Sequence, residues 1–107
     1  MVCLIQFQDE VKAWAGKNFP GTPAYRPLLG VAEEVGELSH AHLKSEQNIR
    51  KDEDHEADGK DAIGDIMVYL AHYCSVKGWS LNDCVHDAWY KVGKRDWAKF
   101  PNNGVDK

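Results

Sequence analysis

The sequence contains few cysteines, and none of them forms a C-x-x-C pair. The three cysteines, Cys3, Cys74 and Cys84, are an odd number at wide spacings, so the sequence indicates neither a zinc knuckle nor a redox-active dithiol. We therefore expect all three to be reduced, and Cys74 and Cys84 to pack as small apolar residues.

Long apolar runs are also missing. No segment approaches the roughly twenty apolar residues of a membrane-spanning helix, and the N-terminal residues lack the basic flank and apolar stretch of a signal peptide. We therefore expect a cytoplasmic protein with no membrane association. The formal net charge of −4 disfavours binding to a nucleic-acid polymer, which requires a basic face. A polyphosphate is still an acceptable ligand if a divalent cation neutralises the contact.

Sustained period-two alternation is absent, so the sequence predicts helices throughout. We expect one domain, residues 1–107, with an all-α, four-helix bundle-like fold. The predicted helices cover residues 5–17, from Thr22-Pro23 to residue 44 or 45, 57–76, and 80 to about 97, and the tail from Pro101 is expected to fray. Eleven aromatic residues in so short a chain suggest that apolar surface is left for a partner, so a homodimer or homotetramer is expected.

Each predicted helix has one apolar stripe that we expect to face the core. The stripes consist of Phe7, Val11 and Trp14; Leu28, Val31, Val35 and Leu38; Ile63, Ile66, Met67, Leu70 and Cys74; and Val85, Ala88, Trp89 and Val92. Gly30 and Gly36 lie inside the second helix, where each costs up to about 1 kcal/mol relative to Ala. This cost predicts a close packing contact or a local bend at both glycines.

Two acidic ridges lie on the second and third helices. On a helical wheel Glu33, Glu34 and Glu37 share one sector of the second helix, and Asp58, Asp61 and Asp65 share a sector of the third. Carboxylates about 4 Å apart repel by about 4 kcal/mol at an effective dielectric of 20, so such ridges need a cation between them or must lie apart in water. Solvated faces are the commoner case, but few basic residues neutralise either ridge here. Oxygen ligands without His or Cys favour Mg²⁺, or Mn²⁺, over zinc.

The residues of these ridges carry a resemblance to a known family. The segment Glu33-Glu-Val-Gly-Glu37, followed after a spacer by Asp61-Ala-Ile-Gly-Asp65 and an apolar run, resembles the E-E-x-x-E and E-x-x-D motifs of the MazG-like all-α nucleoside triphosphate pyrophosphohydrolases. Lys17-Asn-Phe-Pro20 and Lys94-Arg-Asp-Trp97 look like the corresponding segments of short bacterial and phage members, so the resemblance covers most of the chain.

The resemblance implies a MazG-type fold and a Mg²⁺-dependent hydrolase that releases a (deoxy)nucleoside monophosphate and pyrophosphate. Glu34 and Glu37 match two metal ligands of the first motif, and Asp65 matches the Asp of the second. The Glu expected in the second motif is Ala62 here, and we predict that Asp61, four residues before Asp65, replaces it. Glu33 or Glu37 is expected to accept a proton from the attacking water.

Basic and aromatic residues are candidates for contacts to the nucleotide. The predicted phosphate-binding residues are Lys44, Lys91, Lys94 and Arg95, with Lys17 and Arg26 behind them, and the candidates for stacking on the base are Trp14, Tyr25 and Trp97. For any single basic residue a solvent-exposed charge is the simpler interpretation, and for any single aromatic residue it is packing in the core.

Two classes of function stay open at this stage. The first is a pyrophosphohydrolase that cleanses the nucleotide pool, including enzymes directed at dCTP, dUTP or phosphoribosyl-ATP. The second is a non-catalytic helical module for oligomerisation or protein interaction that has lost activity, which Ala62 favours.

Overall fold

The computed structural model describes residues 3–106. These residues form four α-helices, α1 (Leu4–Asn18), α2 (Tyr25–Gln47), α3 (His55–Lys77) and α4 (Leu81–Val92), and no strand. The all-α prediction is confirmed. None of the helices in this part of the chain is long and apolar enough to cross a membrane.

The two longest helices, α2 and α3, pack against each other as an antiparallel pair. Gly30 near the start of α2 lies against the ring of Tyr69 near the end of α3, whereas Ala41 near the end of α2 lies against Gly59 near the start of α3. The missing side chain at Gly30 leaves room for the Tyr69 ring against the α2 backbone, whereas a Cβ at Gly59 would meet Leu38 and Ala41 only at ordinary van der Waals distance. The predicted packing contact at Gly30 is therefore present.

A second face of α3 packs against α1 and the start of α4. Val11, Ala71, Cys74 and Leu81 form the centre of this core, and Leu4, Phe7, Met67, Val68 and Leu70 pack around it. Within residues 3–106, the backbone of α2 does not come close to the backbone of α1 or α4. The helices are thus arranged around α3 and do not enclose one central core, as a closed four-helix bundle would.

One side chain ties α1 to the corner between α3 and α4. The Gln8 amide nitrogen donates to the carbonyl of Trp79 at 2.8 Å and to Ser75 Oγ at 3.2 Å, while its oxygen accepts from the backbone N–H of Leu81 at 2.8 Å. The last bond satisfies a first-turn amide of α4 that no residue of the helix itself can satisfy.

The observed ends of the helices differ from several of the predicted boundaries. Ser80 caps α4 as expected, accepting from the N–H of Asp83 at 3.2 Å. Asp54 caps α3 in the same way through Ala57 N, so α3 begins two residues earlier than predicted. Thr22 does not cap α2, because its hydroxyl donates to the carbonyl of Phe19 at 2.6 Å. The fourth helix ends at Val92, five residues before the predicted end.

The predicted apolar stripes are only partly buried. Eight of their residues are exposed, namely Trp14, Leu28, Val35, Ile63, Val85, Ala88, Trp89 and Val92. The reason is that α2 and α4 each contact too few neighbours in this chain to cover a stripe of that width. Among residues 3–106, no atom outside the helix lies within 4 Å of the position that a Cβ of Gly36 would take, so this part of the chain does not supply a packing contact at Gly36.

Two further expectations are corrected by local contacts. Cys84 is exposed, whereas Cys74 is buried as expected, and both are free thiols. The segment after Pro101 is folded back instead of frayed. The N–H of Asp96 donates to the carbonyl of Gly104 at 2.7 Å, and Gly104 is buried with a φ of 79° against the side chain of Arg95.

Candidate functional site

Carboxylates from both long helices line one open cavity of about 620 Å³, which we call the acidic cavity. Its lining consists of Glu33, Glu34, Glu37 and His40 of α2, Asp58, Asp61, Ala62 and Asp65 of α3, and Glu53 of the connection between them. All four predicted metal ligands and both candidate proton acceptors therefore border the same space.

The register of the helix pair explains why these residues meet. Since Gly30 packs on Tyr69, one further turn along α2 and one turn back along α3 bring Glu34 level with Asp65. Two turns along α2 from Gly30, and two turns back along α3 from Tyr69, bring Glu37 level with Ala62. The two acidic motifs consequently face each other across the helix pair.

The charge of Glu34 is disfavoured by its surroundings. Desolvation raises the pKa of the Glu34 carboxyl above its ordinary value, and the negative charges of Asp65, Glu33, Glu37 and Asp61 raise this pKa further. Of these charged neighbours Asp65 has the largest effect, which agrees with the register. A cation placed between the two helices would oppose this effect, since opposite charge favours the ionised carboxylate.

The carboxylates share the cavity without forming a ready coordination shell. Among residues 3–106, no group of three or more His, Cys, Asp or Glu side chains is arranged to hold a metal ion. A divalent ion bound between the two helices would offset the mutual repulsion of these carboxylates.

Ala62 occupies the centre of the helix contact. Its side chain is buried, with 2% of its surface exposed, and it lies level with Glu37. Asp61, in contrast, is exposed and borders the cavity on the same side as Asp65. The location of Asp61 is compatible with the predicted replacement of the missing Glu.

Glu53 is a carboxylate of this cavity that the sequence analysis missed. Its Oε1 lies 3.1 Å from Nε2 of His40 on α2 and 3.8 Å from Nδ1 of His55 at the start of α3. Nε2 of His55 lies 3.0 Å from the carbonyl of Ile49, so this nitrogen is the donor of the ring. Nδ1 of His55 is buried and has no hydrogen-bond partner among the described residues. The side chain of His55 is only 13% exposed.

The connection between the helices is shaped so that Glu53 turns back towards the cavity. Asn48 and Arg50 adopt left-handed φ angles of 56° and 51°, and Asn48 ends α2 by donating its N–H to the carbonyls of Lys44 and Ser45. A dense run of charges in a connection gives no indication of such a reversal. The Asn48 left-handed cap and the Asp54 cap are the signals that could have fixed its length.

A second cavity, of about 430 Å³, adjoins the acidic cavity, and we call it the aromatic cavity. It is lined by Trp14, Phe19, Thr22, Arg26, Pro27, Val68, Tyr69 and His72, together with Glu34 and Asp65. The rings of Trp14 and Phe19 pack edge to face with their centroids 5.5 Å apart. Because Glu34 and Asp65 line both cavities, one elongated ligand can contact carboxylates at one end and aromatic rings at the other.

Most of the predicted phosphate-binding cations lie elsewhere. Lys94 stands 3.6 Å above the ring of Tyr90, and Arg95 packs near Trp97, while Lys44 contacts the side chain of Gln47. Neither Lys91 nor Tyr25 lines either cavity. Among residues 3–106, Arg26 is the only Lys or Arg that lines either cavity, and it belongs to the wall of the aromatic cavity.

No family model matches the chain, and no solved structure matches it significantly. The arguments for a function therefore rest on the residues of the two cavities.

Proposed function

We propose that this protein is a Mg²⁺-dependent nucleoside triphosphate pyrophosphohydrolase with a MazG-type fold. The observation that carries the proposal is the sharing of Glu34 and Asp65 between the acidic and the aromatic cavity. A nucleoside triphosphate has an anionic end that needs a cation and an aromatic base that stacks on rings. An acidic protein that places carboxylates beside an aromatic wall offers both contacts when a divalent ion joins the phosphates to the carboxylates.

The donor set of the acidic cavity fits Mg²⁺ in its chemistry. All candidate ligands, Glu34, Glu37, Asp61 and Asp65, offer hard carboxylate oxygens. When bound there, the ion would screen the triphosphate charge and lower the pKa of a coordinated water. Mn²⁺ has a similar preference for oxygen and is expected to substitute for it.

The proposed reaction is hydrolysis at the α-phosphorus. A water oxygen forms a bond to this phosphorus, the bond to the α–β bridging oxygen breaks, and pyrophosphate leaves with the electron pair. Glu33 or Glu37 accepts the proton of the water. Trp14 and Tyr69 hold the base, and Arg26 contacts the nucleotide from the same wall. Cleansing of the nucleotide pool would take place in the cytoplasm.

Pyrophosphate release from a panel of nucleotides, with and without Mg²⁺, tests the proposal. The panel includes dCTP, dUTP and phosphoribosyl-ATP, since these distinguish the related activities. Glu37→Gln and Asp65→Asn are expected to abolish Mg²⁺-dependent release with the helical content unchanged. Glu46→Gln is the matched control, because Glu46 lies on α2 outside both cavities, within 3.4 Å of His42. Absence of release from every nucleotide would contradict the proposal.

Asp61→Ala tests the replacement of the missing Glu separately. If Asp61 serves as a ligand, this variant should lose activity to the same extent as Asp65→Asn. Unchanged activity would remove Asp61 from the ligand set, and Glu53→Gln would then be the next variant to measure, because Glu53 borders the same cavity.

A non-catalytic helical module is the second candidate function. The buried Ala62 and the lack of a preassembled group of three ligands among the described residues favour it. Thermal denaturation with Mg²⁺ discriminates between the two, because an ion present at about a hundred times its Kd adds about 2.7 kcal/mol to the free energy of unfolding. A melting temperature independent of Mg²⁺ would favour the non-catalytic module.

A further inference from the structure

Two imidazoles and one carboxylate converge where α2 leads into α3, and we call them the His40–Glu53–His55 cluster. Oε1 of Glu53 lies 3.1 Å from Nε2 of His40 and 3.8 Å from Nδ1 of His55. His40 lies in the second half of α2, Glu53 in the connection, and His55 at the first position of α3. None of the four Mg²⁺ ligands proposed above belongs to this cluster.

The ring of His55 presents a lone pair that no group in residues 3–106 satisfies. Its Nε2 donates to the carbonyl of Ile49 at 3.0 Å, so the neutral ring carries its acceptor lone pair on Nδ1. Nδ1 is buried and has no hydrogen-bond partner in this part of the chain. The charged group beside it is the carboxylate of Glu53, which can only accept when ionised. Two acceptors that face each other at a buried position need a cation between them.

The hydrogen bond from His55 to Ile49 is of the kind that a metal-bound histidine makes. A metal-ligating imidazole almost always donates its second ring N–H to a carboxylate, a backbone carbonyl or a water, and this bond fixes the tautomer and the orientation of the ring. Here the connection brings the Ile49 carbonyl to one ring nitrogen of His55 and the Glu53 carboxylate to the other. His55 is therefore preorganised as a ligand through Nδ1.

The distances within the cluster suit a small ion with nitrogen and oxygen ligands. Zn²⁺ binds imidazole nitrogen and carboxylate oxygen at about 2.0–2.2 Å, so two ligand atoms of one tetrahedral ion lie about 3.4 Å apart. The distances from Glu53 Oε1 to the two imidazole nitrogens, 3.1 Å and 3.8 Å, lie on either side of this value. Imidazole nitrogen favours Zn²⁺, whereas Mg²⁺ prefers oxygen ligands and retains its waters.

Binding of zinc requires one change at His40. The described side chains do not form a complete coordination shell as they stand, and a hydrogen bond joins Nε2 of His40 to Oε1 of Glu53. Zinc has to take the place of the proton in this bond, and the neutral ring of His40 then carries its proton on Nδ1. His40 is 39% exposed, so water is available to this nitrogen.

We propose that the His40–Glu53–His55 cluster binds one Zn²⁺ ion, through Nε2 of His40, Nδ1 of His55 and a carboxylate oxygen of Glu53. Two histidines and one glutamate, with a water at the fourth position, form a known type of zinc site. The ion joins α2 to the start of α3 and holds the connection between them. This inference is independent of the proposed enzymatic function, since it uses other residues and another class of metal.

Competition between the full chain and a chromophoric zinc chelator, with millimolar Mg²⁺ present, tests the proposal. Mg²⁺ competes for the carboxylates of the acidic cavity but not for imidazole. We expect one Zn²⁺ per chain under these conditions, and a melting temperature that rises with the zinc concentration. Absence of binding at micromolar zinc would overturn the proposal and leave a proton as the cation between His55 and Glu53. Displacement of the zinc by Mg²⁺ would overturn it as well.

His55→Gln and His40→Gln remove the two imidazole ligands singly. The Gln amide still supplies a donor for the Ile49 carbonyl at position 55 and for Glu53 at position 40, so we expect unchanged helical content. Each variant should lose at least about tenfold in zinc affinity. His42→Gln is the matched control, because His42 also lies on α2, but its side chain is 77% exposed and pairs with Glu46. Unchanged affinity in both cluster variants would overturn the proposal, as would an equal loss in His42→Gln.

Asp65→Asn separates the zinc site from the proposed Mg²⁺ site. We expect this variant to bind zinc as tightly as the unmodified chain does, although it loses Mg²⁺-dependent release of pyrophosphate. A loss of zinc affinity as large as that of His55→Gln would place the ion among the carboxylates of the acidic cavity and overturn the assignment to the His40–Glu53–His55 cluster.

Discussion

Replacement of Gly30 by Ala tests the close packing of α2 on α3. A Cβ at this position would collide with the edge of the Tyr69 ring, whose nearest atoms lie well inside van der Waals distance. Introducing a methyl group into such a contact costs about 1–3 kcal/mol. The same substitution gains about 1 kcal/mol of helix propensity, so the net loss in the free energy of unfolding should be up to about 2 kcal/mol.

A second Gly→Ala substitution separates the packing cost at Gly30 from the gain in helix propensity. Gly64 lies inside α3 with no atom outside its own helix within 4 Å of a built Cβ, so Gly64→Ala should gain about 1 kcal/mol. The difference between Gly30→Ala and Gly64→Ala is then the packing cost alone, about 1–3 kcal/mol. For a chain of this size that difference corresponds to about 4–12 °C in melting temperature.

Thermal denaturation followed by far-ultraviolet circular dichroism, at one fixed protein concentration, measures this difference. Tyr69 also lines the aromatic cavity, so its displacement in Gly30→Ala should weaken nucleotide-dependent stabilisation as well. Equal gains in stability for Gly30→Ala and Gly64→Ala would refute the packing argument, because they would show that the Tyr69 ring does not press on Gly30.

Two further predictions concern stability. Glu34 has a raised pKa, so the folded state binds its proton more tightly than the unfolded state does, and stability without divalent ions should rise as the pH falls from neutral through the folded pKa. Glu34→Gln should raise the melting temperature at neutral pH and remove part of the pH dependence of stability. A lower melting temperature of this variant would contradict the conclusion that the charged Glu34 destabilises the folded state. Gln8→Leu removes three hydrogen bonds between α1 and the α3–α4 corner, each worth about 0.5–1.5 kcal/mol, and should lower the free energy of unfolding by about 1.5–4.5 kcal/mol, measured by chemical denaturation. Gln6→Leu, on the exposed side of α1, should be nearly neutral, and an equal loss there would exclude the specific role of Gln8.

The number and type of the helices could be predicted from the sequence, because an apolar period of 3.6 residues is a local property of the chain. The antiparallel pairing of α2 and α3 is also predictable, since a short connection leaves two long helices little alternative. Burial of the stripes could not be predicted in the same way. Leu28 and Val35 are exposed in the structure, and the apolar period alone does not specify which surface, if any, covers them.

For the candidate site, the acidic residues at helical spacing could be placed on two neighbouring helices, and the structure brings them to one cavity. Their roles stay predictions. Glu53 could not be found in this way, because its position depends on the left-handed residues of a connection and on its contact with His40. Lys94 and Arg95 were proposed from the family resemblance, whereas the cation that lines a cavity, Arg26, ranked behind them.

The connection between α2 and α3 has a consequence for engineering of this protein. The loop of a helical hairpin is usually the part that tolerates inserted residues. Here Asn48 and Asp54 close the two helix ends, and Glu53 is held between His40 and His55. Extra residues in this loop would carry Glu53 away from the cavity, so a tag or a fused domain would have to be attached elsewhere.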